Sequence, residues 1–227
     1  MIENLKALFK DLSRLFDFTL VGGIPRDYIL HLSKNGIKPI QKSKSIFQVD
    51  FSFFYNFLQN KFQKDDFLEI DISTTQNPKE IAKILDNYLQ KNLPQSKRTR
   101  QFATNSFNIQ NIKIEITSTR IDKNCDGKNA QMKHGVSYFR DSSRRDFTFN
   151  AIYMNFNGTI FDFHNGINHL FANEIHFIGD AKTRILEDFT RIKRYQNFCQ
   201  RFNMENKKIE EAINYIINNK TTPIIMR

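Results

Sequence analysis

At 227 residues, 40% hydrophobic and 13% aromatic, the chain holds enough apolar matter to fold as one large domain or two small ones. A formal charge of +10 favours a polyanionic partner, nucleic acid ahead of a membrane surface, since no basic amphipathic stretch stands out. Cys125, Cys199 and five scattered histidines form no disulfide framework or zinc pattern. No apolar run approaches a membrane span and no signal or transit peptide is evident, so a cytoplasmic protein is expected.

Ile2, Leu5, Leu8, Phe9, Leu12, Leu15 and Phe16 recur at helical spacing and predict a helix over 2–16. FTLVGG reads as a short strand ending in two glycines, and PRDYILHL as a helix with Pro25 in its first turn. Residues 33–66 mix a polar turn region with an aromatic-rich segment of no settled period. FLEIDISTT, residues 67–75, predicts a strand. NPKEIAKILDNYLQKN predicts a helix capped by Asn77, and FATNSFNIQ with NIKIEITST a strand pair. Residues 121–137 are polar and glycine-bearing, which predicts a mobile loop. FTFNAIYMNF and TIFDFHNG read as strands joined at Asn157-Gly158, a hairpin signal. Residues 181–202 read as one helix, followed by a second over 206–219.

In an extended strand alternate side chains share a face, so Glu69 and Asp71 point one way and Ile70 and Ile72 the other. Buried isoleucines leave two carboxylates side by side, where repulsion favours a bound cation or a shifted pKa. Taken alone, an acid-x-acid pair is more often the solvated edge of an amphipathic strand. Glu115, opposite in sense to Ile114 and Ile116, is a third acid on a strand.

GGIPRD, EIDISTT, IEITSTR, RRDFTFNA and EDFTRIKR occur in that order between Leu20 and Phe202. Together they resemble the class II tRNA nucleotidyltransferases, the bacterial-type CCA-adding enzymes, and the related bacterial poly(A) polymerases. The resemblance implies an α+β fold: a polymerase-beta-like head with a mixed sheet over 1–175, then an all-helical neck over 176–227.

It implies that Glu69 and Asp71 match the paired metal-binding acids, holding Mg²⁺ during in-line attack of an RNA 3′-hydroxyl on the α-phosphorus, with Glu115 completing the catalytic acids. Gly22 and Gly23 match the turn that lets backbone N–H groups approach the triphosphate. Arg26 and Arg120 match phosphate-binding arginines, with Asp27 orienting Arg26. Arg144, Arg145, Asp146 and Asn150 match residues around the ribose and phosphates. Asp188 and Arg191, read at i and i+3 of one helix face, match the pair that selects the base, and Arg194 extends the basic face. The implied partners are the tRNA 3′ end, CTP and ATP; a poly(A) polymerase and a lapsed RNA-binding homologue are the rival readings.

The sequence departs from the family pattern at four places. Glu69 replaces the first aspartate, Pro25 an aliphatic residue, and Ala103 a common glycine, while the segment between Asp27 and Glu69 is longer than usual. The chain stops soon after the expected neck, so a reduced enzyme, a fragment or half of a two-component system is expected. Lys97-Arg98-Thr99-Arg100 reads as a solvated loop able to meet RNA phosphates.

Overall fold

A computed structural model of the chain describes residues 2–96, 98–101, 103–122 and 132–219. Helix α1 (Ile2–Leu15) buries Ile2, Leu5, Leu8, Phe9 and Leu12, the stripe its spacing predicts. Strand β1 (Thr19–Val21) leads through Gly22 directly into α2 (Gly23–Lys34), with Pro25 in the first turn, where a missing N–H costs nothing.

The segment without a settled period contains a hairpin, β2 (Ile40–Ser43) and β3 (Ile46–Gln48), and a helix, α3 (Phe54–Asp65). Its aromatics blur the pattern because they face different neighbours: Phe54 and Phe57 pack 5.2 Å from the Tyr28 ring, while Phe53 is exposed. Next come β4 (Leu68–Thr74) and α4 (Pro78–Asn92), where Asn77 accepts from the Lys79 N–H as the predicted cap.

Strands β5 (Arg98–Gln101), β6 (Thr104–Ile109), β7 (Ile112–Ser118), β8 (Arg120–Asp122) and β9 (Met132–His134) follow. Arg98–Gln101 is thus an edge strand rather than the expected loop, and Arg98 and Arg100 pair with Asp86 of α4. Of the expected loop over 121–137, residues 121–122 and 132–134 instead belong to the paired strands β8 and β9; its middle, with Cys125, lies outside the described residues.

After α5 (Tyr138–Ser142), the stretch FTFN is not a strand. Thr148–Asn150 form a 3₁₀ turn, because Phe147 N–H bonds the Asp146 carboxylate and Asn150 and Ala151 N–H bond back to the Phe147 and Thr148 carbonyls. Strands β10 (Ile152–Met154) and β11 (Thr159–Asp162) make the predicted hairpin. Gly158, at φ +82°, has no room for a Cβ, which would lie 2.3 Å from the Val49 carbonyl oxygen.

Helices α6 (Gly166–Phe171), α7 (Ala181–Glu187), α8 (Thr190–Phe202) and α9 (Lys207–Asn218) complete the described fold. The single helix expected over 181–202 is two. Asp188 is extended (φ −157°, ψ 105°) and its carboxylate accepts from Thr190 N and Oγ1, ending α7 and starting α8.

The main sheet has the order β2-β3-β11-β10-β1-β4-β7-β6-β5. Only the β4–β7 pair is parallel; the other pairs are antiparallel, giving a mixed α+β sheet. One buried apolar cluster runs from Leu5 through Ile70, Ile114 and Phe149 to Tyr195 and Ile213, so α7 to α9 share the core of the sheet. Phe198 of α8 packs edge-on at 5.4 Å from Phe147 and 5.1 Å from Phe149. Among the described residues no helix is long and apolar enough to cross a membrane.

Candidate active site

Strands β4 and β7 place Glu69 opposite Lys113 and Asp71 opposite Glu115. Ile70, Ile72, Ile114 and Ile116 are at most 1% exposed, so the isoleucine face is core and the acids stand on the open face. The lysine between them was not singled out from sequence. Lys113 Nζ lies 2.7 Å from Glu69 Oε1 and 2.8 Å from Glu115 Oε1. Hydrogen bonds to Glu115 and Glu69 hold its ammonium more firmly protonated than an ordinary lysine. Glu69 is 49% exposed, so its pair is worth at most about 1 kcal/mol and can be exchanged for another cation.

Asp71 differs from both glutamates. Burial, then repulsion from Glu69 and Glu115, pushes its carboxyl up to about 6, against the opposing pull of Arg145 and Lys113. The first turn of α2 passes directly against it. Gly22 sits at φ +77° and ψ −123°, and a Cβ there would lie 3.3 Å from Asp71 Oδ2. The N-terminus of this 12-residue helix, with its unpaired first-turn N–H groups, therefore opens beside Asp71, a place where phosphate is well received.

Carboxylate oxygens suit a hard divalent cation, and Glu69 and Glu115 add negative charge within electrostatic reach of Asp71. Among the described residues no three acidic, histidine or cysteine side chains form a ready-made cage. A cation that keeps waters and takes substrate phosphates needs only one or two carboxylates, so Asp71 with Glu69 fits it.

A second group of residues is organised by Asp141, a fully buried acid that sequence reasoning missed. Its oxygens accept from Tyr153 Oη at 2.7 Å and the Arg120 N–H at 2.9 Å, and pair with Arg144 at 2.9 Å and Arg145 at 3.4 Å. Burial raises its pKa, but Arg145, Arg144, Tyr153 and the Arg120 amide more than reverse that and hold it below its ordinary value. Its spacing of three and four residues from Arg144 and Arg145 was the available signal. Asp141 thereby sets Arg145, whose charge reaches Asp71.

Three predicted residues turn inward. Arg26 is 4% exposed; Nε and Nη2 reach Asp27 Oδ1 at 2.8 and 2.7 Å, Nη1 reaches Asn150 Oδ1 at 2.7 Å, and the guanidinium lies 5.3 and 5.0 Å from the Phe198 and Phe202 ring centres. A buried guanidinium must be paired, and Asp27 and Asn150 pair Arg26 while Phe198 and Phe202 of α8 pack beside it. Asn150 is taken up by Arg26 and, at 3.4 Å, by Asp146 Oδ1. Asp146 is 6% exposed and its Oδ2 pairs at 2.7 Å with Arg194, whose side chain is 52% exposed, so the pair reaches from the interior to the surface.

Asp188 and Arg191 do not share a helix face. Asp188 lies in the break between α7 and α8. Burial raises its pKa, but the Thr190 hydrogen bonds and nearby Arg191 and Arg194 bring it below the ordinary value. Arg191 Nη1 instead reaches Glu187 Oε2 at 2.7 Å and the Arg184 carbonyl at 2.6 Å. Arg184, also missed from sequence, donates Nη2 to the carbonyls of Arg144 and Arg145 at 2.8 Å each, fastening α7 to the RRD block.

The sequence profile of the Poly A polymerase head domain matches residues 18–176, most of the chain. The chain belongs to this family. Within it, the human mitochondrial CCA tRNA nucleotidyltransferase 1 is 33% identical over 133 residues, 59% of this chain and 30% of that protein. The CCA-adding enzyme of Staphylococcus epidermidis is 32% identical over 208 residues, 90% of this chain and 42% of that one. The crystal structure of the Bacillus stearothermophilus CCA-adding enzyme in complex with CTP shares the fold, with a TM-score of 0.60 and 23% identity over 91% of this chain and 41% of that one. The chain spans less than half the length of these relatives. That enzyme and this chain thus share the α+β fold.

Proposed function

We propose that this Poly A polymerase head domain protein is an RNA 3′-terminal nucleotidyltransferase that adds CCA, or part of it, to tRNA from CTP and ATP. The observation that carries this reading is Asp71 lying against Gly22 at the open end of α2, with Glu115 on the next strand and Arg145 within electrostatic reach. The relatives' names supply tRNA, and the complexed relative supplies CTP. We take residues 1–175 as the head and 176–227 as the neck.

In this reading the first-turn amides of α2 and the guanidinium of Arg145 receive the triphosphate, and Gly22 keeps the backbone close enough to do so. The 3′-oxygen bonds to the α-phosphorus as the bond to pyrophosphate breaks. Mg²⁺, held by Asp71 with Glu69, would supply charge neutralisation and a more acidic 3′-hydroxyl. Arg191 and Asp188 offer donors and an acceptor to a base edge, and Glu187 and Arg184 fix where Arg191 sits.

The test is transfer of labelled CMP and AMP to a tRNA transcript ending at the nucleotide before CCA, with Asp71→Ala as the negative control. Label in tRNA that depends on Asp71 supports the reading; equal transfer by the variant contradicts it. The family's own description keeps poly(A) synthesis as the second reading, which an oligo(A) primer separates.

A further inference from the structure

The long segment between Asp27 and Glu69 builds something that the acidic strand does not use. Helix α3 lies beside α2 and the end of α8, and between them opens a groove of about 640 Å³, within the range of about 300–1,000 Å³ usual for ligand sites. Lys34, Lys61, Lys64 and Arg201 line it against two acids, Asp27 and Asp65. Both acids are already paired: Asp27 with Lys61 at 3.1 Å, Arg201 at 3.0 Å and Arg26 at 2.7 Å, and Asp65 with Lys61 at 3.5 Å. Lys34 and Lys64 are exposed and make no ion pair among the described residues. Half-buried Leu30 and Phe202 supply apolar surface between these charges, with Arg201 4.9 Å from the Phe202 ring centre and Phe57 buried beneath.

We propose that this groove binds single-stranded RNA, with phosphodiester groups at Lys34 and Lys64 and a base over the apolar floor. Cations flanking an aromatic surface are the combination that holds an unpaired strand, since every base has a face to stack and every linkage a charge. An acidic peptide would meet the same cations but would leave the apolar floor without a flat partner.

One wall residue, Asp27, links the groove to the RRD block through side chains. Asp27 in its wall binds Arg26, Arg26 binds Asn150, and Asn150 binds Asp146. Strand held there would contact the wall of α2, the helix whose other end opens beside Asp71. The proposal rests on the RNA-directed reading above, and assigns a place for primer binding to residues supplied by the long segment.

The experiment is fluorescence anisotropy of a labelled single-stranded RNA with the full chain, without nucleotide, over a range of salt. The variants are Lys34→Ala with Lys64→Ala, and, as a control with the same charge loss, Lys79→Ala with Lys91→Ala on α4. Two lost phosphate contacts should lower the slope of log affinity against log salt by about 1.4, which at 0.1 M salt is about 25-fold in affinity. The control pair should stay within about twofold. Equal losses in both pairs, or none in the groove pair, overturn the proposal while leaving the nucleotidyltransferase reading standing. Failure of the wild type to bind the single-stranded RNA overturns the proposal, while the nucleotidyltransferase reading stands or falls on transfer to tRNA. Polyglutamate binding that weakens in the groove pair while RNA binding is unchanged overturns it in favour of an acidic protein partner.

Discussion

Replacing Gly22 by alanine perturbs the closest approach between the backbone and the candidate catalytic acid. At φ +77° and ψ −123° an L-residue is strained by about 1–3 kcal/mol, because this region is open essentially to glycine. The added Cβ would also sit 3.3 Å from Asp71 Oδ2, so the carboxylate or the turn must give by a few tenths of an ångström. A misplacement of about 1 Å can cost about 100-fold in rate, so a few tenths corresponds to roughly three- to tenfold. Urea unfolding followed by circular dichroism should show a midpoint lower by about 0.3–1.5 M, given an m-value of about 2–3 kcal/mol/M. Single-turnover primer extension should slow in parallel. Gly36→Ala is the control: its φ is +76°, but nothing lies within 4 Å of the added Cβ, so it should lose stability and keep its rate. A Gly22→Ala protein with wild-type stability and rate would refute the argument.

Lys113→Met removes the cation that links Glu69 and Glu115, and should raise Mn²⁺ affinity by about 3- to 10-fold in calorimetric titration, since two exposed pairs of at most about 1 kcal/mol no longer compete; unchanged or weaker binding would contradict this. Asp71 binds its proton more tightly folded than unfolded, so its favourable contribution is complete below about pH 4 and is lost as pH rises through about 6. Metal-free Asp71→Asn should therefore be more stable than wild type at pH 8 by about 1–2 kcal/mol and equal to it at pH 4 in urea titrations; equal stability at pH 8 would dismiss the shift. Arg191→Ala should lose about 1–3 kcal/mol of preference for CTP and ATP over UTP and GTP in steady-state competition. Lost thermal stability with selectivity intact would make the Glu187 pair its whole role.

The period-two pattern of LEIDIS and IKIEIT was enough to set the isoleucines inward and the acids outward, and that is the arrangement of β4 and β7. What alternation cannot give is register between strands, so the pairing of Lys113 with Glu69 and Glu115 needed the parallel ladder. The break at Asp188 was hidden because apolar spacing continues through it; only the carboxylate's bonds to Thr190 mark the new helix. The burial of Arg26 was not legible because motif position says nothing of it, and the rings of Phe198 and Phe202 are brought to it from more than 170 residues away. Asp141 was overlooked among neighbouring charges, although its helical spacing to Arg144 and Arg145 was visible. The hairpin at Asn157-Gly158 was legible because its turn chemistry is local.

The central claim is that the acids beside α2 transfer nucleotides to tRNA. Each of the four NTPs, singly and together, should be offered with Mg²⁺ to tRNA lacking CCA, to tRNA ending in CC and to oligo(A), and the product 3′ ends read by mass spectrometry. The account predicts CMP or AMP added to the tRNA primers, stopping at or before CCA, with no addition by Asp71→Ala. Long adenylate tails on oligo(A) with the tRNAs untouched, or no addition to any primer, would contradict it.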